Sequence, residues 1–512
     1  ENQAVNNVHT FEGSPAYASP EQTGRMNRTL DYRTDFYSLG VTFYELLTGH
    51  LPFETKDFLE LIHAHIALRP LPLDKLNSQI PPVLSKIVLK LMAKTAEERY
   101  QSAYGLLADL ATCQQQWQTH GWIEPFPLGK NDITDQFQIP QKLYGRQRQT
   151  ERLLHAFERV AEGEQVMVMV NGPAGIGKSM LAREVHKPIV QRRGYYIAGK
   201  FDQLARNIPY NALIQAFEEL TRQLLTESAE EIARWKTRLL EALGPNGQLI
   251  IDVIPDVELI IGSQPAVAEL DPAEAQNRFN GVFYAFMETF AQPEHPLTIF
   301  LDDLQWADVA SLKLIQNLAT GAPLPYLFPI GAYRDNEVDE SHPLMMVLNA
   351  IKKAEQFTLQ QITLTSLTTK QIADLLADTL KQDVDGVRPL AELVLQKTQG
   401  NPFFVNEFLN RLHLEKALWF DLESGRWEWD AGKIEQLGIT PNVVDLMMDK
   451  IRRLPAETAA VLRLAACIGN EFSLSALMAA REAPMIETAE LLWPALQGGL
   501  ILPLEEGYKF LH

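Results

Sequence analysis

Apolar residues along this chain follow one spacing, lose it, and then take up another. From Asp35 to about Cys113 they recur mostly at helical intervals. "TDFYSLGVTFYELLTG" reads as an apolar helix stopped by Gly49, and "PPVLSKIVLKLMAKT" opens on a proline pair and carries an amphipathic face. Residues 114–142 are Gln-rich and then punctuated by prolines in "EPFPLGKNDITDQFQIPQ", with no sustained period, which predicts an interdomain linker. "LYGRQRQTERLLHAFERV" then reads as a turn leading into an amphipathic helix. It is followed by "QVMVMVNG", a short apolar run of the kind buried in a parallel sheet.

Further runs at "YYIAG", "LTIFLDD", "YLFPIGAY" and "FTLQQITL" alternate with helical segments, the pattern of a doubly wound α/β sheet with right-handed crossovers. After about residue 366 the strands stop and helical patterns take over in "TTKQIADLLADTL", "RPLAELVLQKTQGNPFFVNEFLNRL" and "NVVDLMMDKIRRLPAETAAVLRLAACIG". "LWFDLESGRWEWD" suggests a small wing, and "GLILPLEEGYKFLH" a β-hairpin cut off at its second strand. The expected parts are residues 1–113, a linker at 114–142, an α/β domain at 143–365, a helical part at 366–415, and a final part at 416–512. No internal repeat or low-complexity tract interrupts them.

Composition narrows the classes. At 512 residues the chain is too long for one core and fits about three or four domains. With 46% hydrophobic and 22% charged residues it reads as globular and soluble. A formal net charge of -19 argues against a broad basic surface for nucleic acid or an anionic membrane. Cys113 and Cys467 form neither a metal-type spacing nor a disulfide framework, which fits a reducing cytoplasm. No apolar run reaches the roughly 18 to 20 residues of a spanning helix, and no signal peptide opens the chain, which starts at Glu1 without an initiator Met.

The chemistry is concentrated in "NGPAGIGKSMLAREV", which fits G-x-x-x-x-G-K-[ST] between a β-type run and a helix. Gly172, Gly175 and Gly177 allow the backbone angles that aim successive N–H groups at phosphates, and the helix start adds its positive dipole end. Lys178 would reach the β/γ oxygens, and the Ser179 hydroxyl would bind Mg²⁺. The bland reading is a glycine turn ahead of an ordinary helix. A phosphate loop needs an acid at the end of a neighbouring strand, and "LTIFLDDLQWAD" supplies two. Asp302 is the candidate for holding Mg²⁺ through water, and Asp303 for polarising the attacking water. Taken alone, the acid pair could equally be a solvated turn or a helix cap.

In order along the chain, "LYGRQRQTERL", "GPAGIGKS", "FLDDLQWAD", "AYRDNEV" and "QGNPFFVNEFL" resemble an AAA-type ATPase of the signal-transduction (STAND) class over about residues 143–512. The resemblance implies a nucleotide-binding α/β domain, a helical lid and a winged helix, cycling between ADP-held and ATP-held forms. It would place Arg146 of "YGR" by the nucleotide, make Arg334 of "AYRD" the sensor after the fourth strand, and pack Pro402 of "GNPF" at the adenine. The bland counterparts are a surface charge at a helix start, a salt-bridge partner and a helix N-terminal proline.

"GSPAYASPEQ" resembles the P+1 loop and A-P-E element of a serine/threonine protein kinase, with Ser19-Pro20-Glu21 standing for A-P-E. "DYRTDFYSLGVTFYELLTGHLPF" resembles the kinase F helix and its continuation, and "EERYQSA" the later segment. The resemblance implies that Arg99 pairs with buried Glu21, Ser14 takes the P+1 threonine's place, Asp35 braces the catalytic loop, and Thr10 occupies the activation-loop phosphosite. The Gly-rich loop, strand lysine, H-R-D and D-F-G all belong N-terminal to the P+1 loop, and residues 1–12 contain none of them. Residues 1–113 are therefore expected to be a helical C-lobe remnant without a phosphotransferase site, with exposed apolar surface and poor stability.

The expected fold is thus a kinase C-lobe remnant, then an α/β P-loop ATPase with parallel sheet and helical lid, then a partial winged helix. A kinase followed by a STAND ATPase resembles the large bacterial, notably cyanobacterial, multi-domain signalling kinases, in which sensor (GAF) and histidine-kinase domains follow. The leading functional reading is a cytoplasmic signalling-kinase fragment, cut at both ends, whose intact part binds ATP or ADP with Mg²⁺ and hydrolyses ATP slowly. No arginine finger can be assigned, so one supplied by a neighbouring protomer in a nucleotide-dependent oligomer is a further expectation. Two other readings stand beside it. One is a scaffold that holds ADP and scarcely turns over. The other is an ATP-dependent transcription regulator, disfavoured by the acidic balance and the sparse basic residues in "DKIRRL" and "RLAACIG".

Overall fold

The computed structural model describes residues 14–23, 30–55, 58–132, 137–203, 208–225, 227–268, 270–321, 323–354, 357–421, 424–437, 448, 451–452, 454–469, 471–481, 483–497, 500–504 and 507–510. The chain divides into two compact units, Leu143–Ser366 and a second made of Glu1–Lys142 with Leu367–His512.

The unit Leu143–Ser366 is built on a five-stranded parallel sheet in the order β2-β3-β4-β1-β5, formed by β1 (Val166–Asn171), β2 (Tyr195–Lys200), β3 (Leu297–Asp302), β4 (Leu327–Tyr333) and β5 (Thr358–Thr363). All five are the runs expected from the sequence. The unbroken apolar stretch of β1 has a physical reason, since all six of its residues are buried. Val166, Val168 and Val170 face a core with Phe157 and Phe328, while Met167 and Met169 face a second core with Phe217, Phe283 and Phe286. A strand covered on both faces has no solvent side to hold polar residues. β5 lies at the sheet edge, and there the pattern opens out into exposed and half-buried residues.

Helices Asn211–Leu225, Ala229–Leu243 and Pro272–Phe290 lie in sequence between β2 and β3 and bring Phe217, Trp235, Phe283, Phe286 and Phe290 into that second core. Sequence periodicity marked helices here without showing that they form an aromatic layer. The C-terminal ends of β1, β4 and β3 lie side by side, so the loops that follow them converge.

In the other unit, helix Arg33–Thr48 ends at Gly49, whose left-handed φ of 76° closes it as expected. Helix Pro82–Leu91 packs beside it through Val88 and Met92. The next helix, Ala103–His120, runs past the boundary expected near Cys113, which lies buried within it. The following residues are not a free linker. Ile123, Phe126 and Leu128 pack back on the core around Tyr100 and Leu106. Asp132 accepts from the Gln101 and Ser102 amides at 2.7 and 2.9 Å. Proline punctuation marked a break in helix here, but it carried no information about the tertiary contacts that hold the segment. As expected, several apolar residues of the N-terminal part are exposed, among them Leu46, Leu71, Tyr104 and Leu107.

Helix Thr369–Leu380 starts in a reciprocal capping box between Thr368 and Gln371, and helices Val384–Thr398 and Pro402–Leu414 follow. The wing suggested at "LWFDLESGRWEWD" is an antiparallel pair of β6 (Leu418–Asp421) and β7 (Arg426–Trp429). Helices Ala456–Ile468, Leu474–Arg481 and Met485–Gln497 accompany a separate three-stranded sheet of β8 (Glu471–Ser473), β9 (Ile501–Leu504) and β10 (Gly507–Phe510). β10 lies in the centre of that sheet, paired with both β8 and β9, rather than at the edge of a two-stranded hairpin. Among the described residues no helix is long and apolar enough to cross a membrane.

Candidate nucleotide site

The loop after β1 has the backbone that its glycines allow. Gly172 has φ 150° and sits so close to the chain after β5 that a Cβ would meet the Leu364 carbonyl oxygen at 2.7 Å. Gly177 has open space around it, and its φ of 100° is what requires glycine. Gly175, between them, is also left-handed at 72°. Helix Lys178–Ala182 begins immediately after Gly177. At the loop's foot the Asn171 amide oxygen accepts from Gln361 at 3.2 Å and from the Thr363 hydroxyl at 2.9 Å, tying β1 to β5.

Lys178 is buried at 7% exposure, and its Nζ donates to the carbonyls of Gly172 and Pro173 at 2.8 and 3.0 Å. Burial lowers the pKa of its ammonium, against the pull of Asp302 and Asp303. The Ser179 hydroxyl donates to Asp302 Oδ2 at 2.7 Å, across 123 residues of sequence. Desolvation and the neighbouring Asp303 charge hold the Asp302 carboxyl above its ordinary pKa. Two oxygen donors that converge in this way suit a hard cation such as Mg²⁺.

Asp303 is buried, with left-handed φ of 54°, and its carboxylate is engaged on both oxygens. Oδ1 accepts from Gln305 Nε2 at 2.8 Å and lies 3.3 Å from Arg334 Nε, and Oδ2 lies 3.6 Å from Lys200 Nζ. Arg334 also pairs with Glu337 at 2.8 Å and lies over the Trp306 ring at 4.8 Å. Arg334 thus makes the ion pairs of its bland counterpart, and makes one of them with the candidate acid.

Arg146 is buried at 4% exposure, so a surface charge at a helix start is not what it is, and its guanidinium donates to the Thr365 carbonyl just past β5. Pro402 opens helix Pro402–Leu414 in the other unit, where Asn401 caps the Phe403 amide at 3.0 Å.

In the N-terminal part Arg99 makes two bonds to Glu21, at 2.6 and 2.8 Å, and both side chains are buried. Ser14 is exposed and precedes the turn Pro15–Tyr17. Asp35 is exposed in the first turn of its helix, and its side chain makes no hydrogen bond among the described residues. Thr10 lies outside the described residues.

The sequence reading missed Lys200, Gln305 and Trp306. A signal existed for two of them, because Gln305 and Trp306 follow the acid pair within "DDLQWAD". Lys200 is engaged with Asp303 only because β2 pairs with β3, with Lys200 in register with Asp302.

The AAA ATPase domain family matches residues 142–330, and the protein kinase domain family matches residues 1–117. The chain is 33% identical over 544 aligned residues to the hybrid signal transduction histidine kinase G of Dictyostelium discoideum, an alignment covering 90% of this chain and 16% of that protein. It is 39% identical over 98 residues to the serine/threonine-protein kinase PknB of Mycolicibacterium smegmatis, covering 19% of this chain and 15% of that one. Among solved structures, the STAND protein with a tetratricopeptide repeat sensor from Pyrococcus horikoshii matches 73% of this chain and 42% of its own, at 13% identity and a TM-score of 0.35. The chain therefore spans about a sixth of the first of these relatives. Its fold is a protein kinase segment followed by an AAA-type P-loop ATPase domain on a five-stranded parallel sheet, with helical regions after it.

Proposed function

We propose that residues 143–365 are a nucleotide switch that binds ATP or ADP with Mg²⁺ and hydrolyses ATP slowly, within a cytoplasmic multi-domain serine/threonine signalling kinase. The observation that carries this reading is the meeting of Ser179 and Asp302 at 2.7 Å beside a buried lysine in a glycine loop. The loop amides and the helix start would bind the phosphates, and Lys178 would neutralise charge on the β/γ oxygens. Ser179 would hold the cation directly and Asp302 would hold it through water. Bound Mg²⁺ would offset the negative charge that develops on the transferred phosphoryl group. Asp303 would orient the attacking water, Arg334 would sense the γ-phosphate, Arg146 would lie beside the nucleotide, and Pro402 of the lid would pack at the adenine.

One observation favours the second reading, a module that holds nucleotide and scarcely turns over. Gln305, Arg334 and Lys200 all engage the Asp303 carboxylate, and these partners compete with water for it. Turnover decides between them. On the hydrolytic reading Asp303→Asn lowers the steady-state rate by about 10²-fold or more with nucleotide affinity retained. An unchanged rate would leave only the holding role. Lys178→Ala should abolish ATP and ADP binding in titration calorimetry under either reading, and retained affinity would remove the site itself.

In the kinase segment Ser14 would take the P+1 threonine's place, Glu21 would be the A-P-E glutamate paired with Arg99 of the later segment, Asp35 would brace the catalytic loop, and Thr10 would occupy the phosphosite position. H-R-D and D-F-G occur nowhere in residues 1–512, so this chain by itself is proposed to transfer no phosphoryl group to protein. The name of the Dictyostelium relative supports placing the whole protein in signalling, with histidine-kinase domains of the same polypeptide as partners; sensor domains are proposed on the sequence resemblance alone. Protomers that share an arginine finger would make the specific rate rise with protein concentration.

A further inference from the structure

We propose that the end of helix Pro402–Leu414 and the hairpin β6–β7 form a docking surface for the segment that follows the kinase segment in the same chain, with Phe137 as its pin and Gln138 as its tie back to the kinase segment. The Phe137 ring stacks on His413 at 4.8 Å with an interplanar angle of 22°, and meets Trp427 edge-on at 5.5 Å. Trp427 is buried at 3% exposure, packs against Phe420, and has its carbonyl held by Gln382 Nε2 at 2.6 Å. The pin therefore enters a receptor that is already fixed.

The next residue points the other way. Gln138 Nε2 donates to Asp31 Oδ2 at 2.9 Å, and Asp31 is also held by the Arg33 guanidinium at 2.7 Å. Arg33 Nη1 in turn donates to Gln101 Oε1 at 2.7 Å, and Gln101 N donates to Asp132 Oδ2 at 2.7 Å. Neighbouring residues thus grip two parts of the chain that lie more than 380 residues apart in sequence, Asp31 and His413. Lys142, a few residues on, bonds Asp378 at 2.9 Å.

Both parts belong to one compact unit. The consequence is mechanical. The Arg33 carbonyl also accepts from Arg99 Nη1 at 2.9 Å, and Arg99 holds Glu21, so a displacement of the helical part would reach the A-P-E element through the Phe137 ring contacts and then a series of hydrogen bonds. The surface is defined by these contacts alone and does not depend on ATP turnover.

Zero-length carbodiimide cross-linking of the full 512-residue chain, read by peptide mass spectrometry at low protein concentration, tests the surface. The expected products are peptides joined by an amide link from Lys142 to Asp378, whose charged groups lie 2.9 Å apart, formed within one molecule. Phe137→Ala should reduce their yield at least about tenfold, the loss expected when one aromatic anchor worth about 1.4 kcal/mol or more is removed. Nucleotide binding at the Lys178 site should remain. Gln138→Glu, which sets a carboxylate against Asp31, should give the same loss and stands in if Phe137→Ala fails to fold. Absence of the Lys142–Asp378 link in the unmutated chain, links that form only between molecules, or yields unaffected by either variant would overturn the proposal.

Discussion

Asp302 and Glu21 are both carboxylates drawn into the protein, and their surroundings move them in opposite directions. Asp302 is desolvated beside Asp303, so folding raises its pKa. Its ionised form costs stability once pH rises above the ordinary carboxylate range. Asp302→Asn should therefore raise the thermal midpoint of the nucleotide-free chain at pH 7 while removing the Mg²⁺ dependence of nucleotide affinity, and a lowered midpoint would contradict the electrostatic account. Burial also pushes the Glu21 carboxyl up, but the two bonds from Arg99 more than offset it, and the net shift is downward. That contribution is present above the ordinary carboxylate range and is lost as pH falls through the lowered folded value. Arg99→Ala should leave a buried carboxylate unpaired and cost about 3–5 kcal/mol in urea unfolding of the kinase segment. The P-loop residues and the acid pair were legible because each motif is contiguous. Lys200 was not, because its partner Asp303 lies just past the end of another strand and only strand pairing brings the two together.

The strands of the ATPase domain could be read for the reason that also makes them fragile. They are buried on both faces, so their apolar runs are continuous. Where β2 meets helix Asn211–Leu225, the approach is closer than a side chain permits. A Cβ on Gly199 would meet the Ala212 carbonyl oxygen at 1.8 Å. Gly199→Ala should destabilise the ATPase unit by about 1–3 kcal/mol or more, seen as a lower denaturant midpoint with no matching change in the kinase segment. Residues 121–132 were harder to read, since proline and glycine punctuation records only where helix stops. Their packing on Tyr100 and Leu106 depends on apolar residues too sparse to show a period.

At the scale of the molecule, a chain of two compact units should not unfold in one step. Calorimetry should resolve two transitions. Mg²⁺ and ATP at about a hundred times the dissociation constant should stabilise the ATPase unit by about 2.7 kcal/mol, and Lys178→Ala should abolish that shift. A single transition moved as a whole by nucleotide would show the two units to be thermodynamically coupled. Sequence alone determined the order of the parts, the five strands, the phosphate loop and its acids, because each rests on residues near one another in the chain. Tertiary structure alone decided what those residues meet. It set Ser179 against Asp302, surrounded Asp303 with Gln305, Arg334 and Lys200, and joined the kinase segment and the C-terminal helices into one unit. Local spacing fixes which element a segment forms, whereas contacts across a hundred or more residues depend on how the elements pack, which no local pattern records.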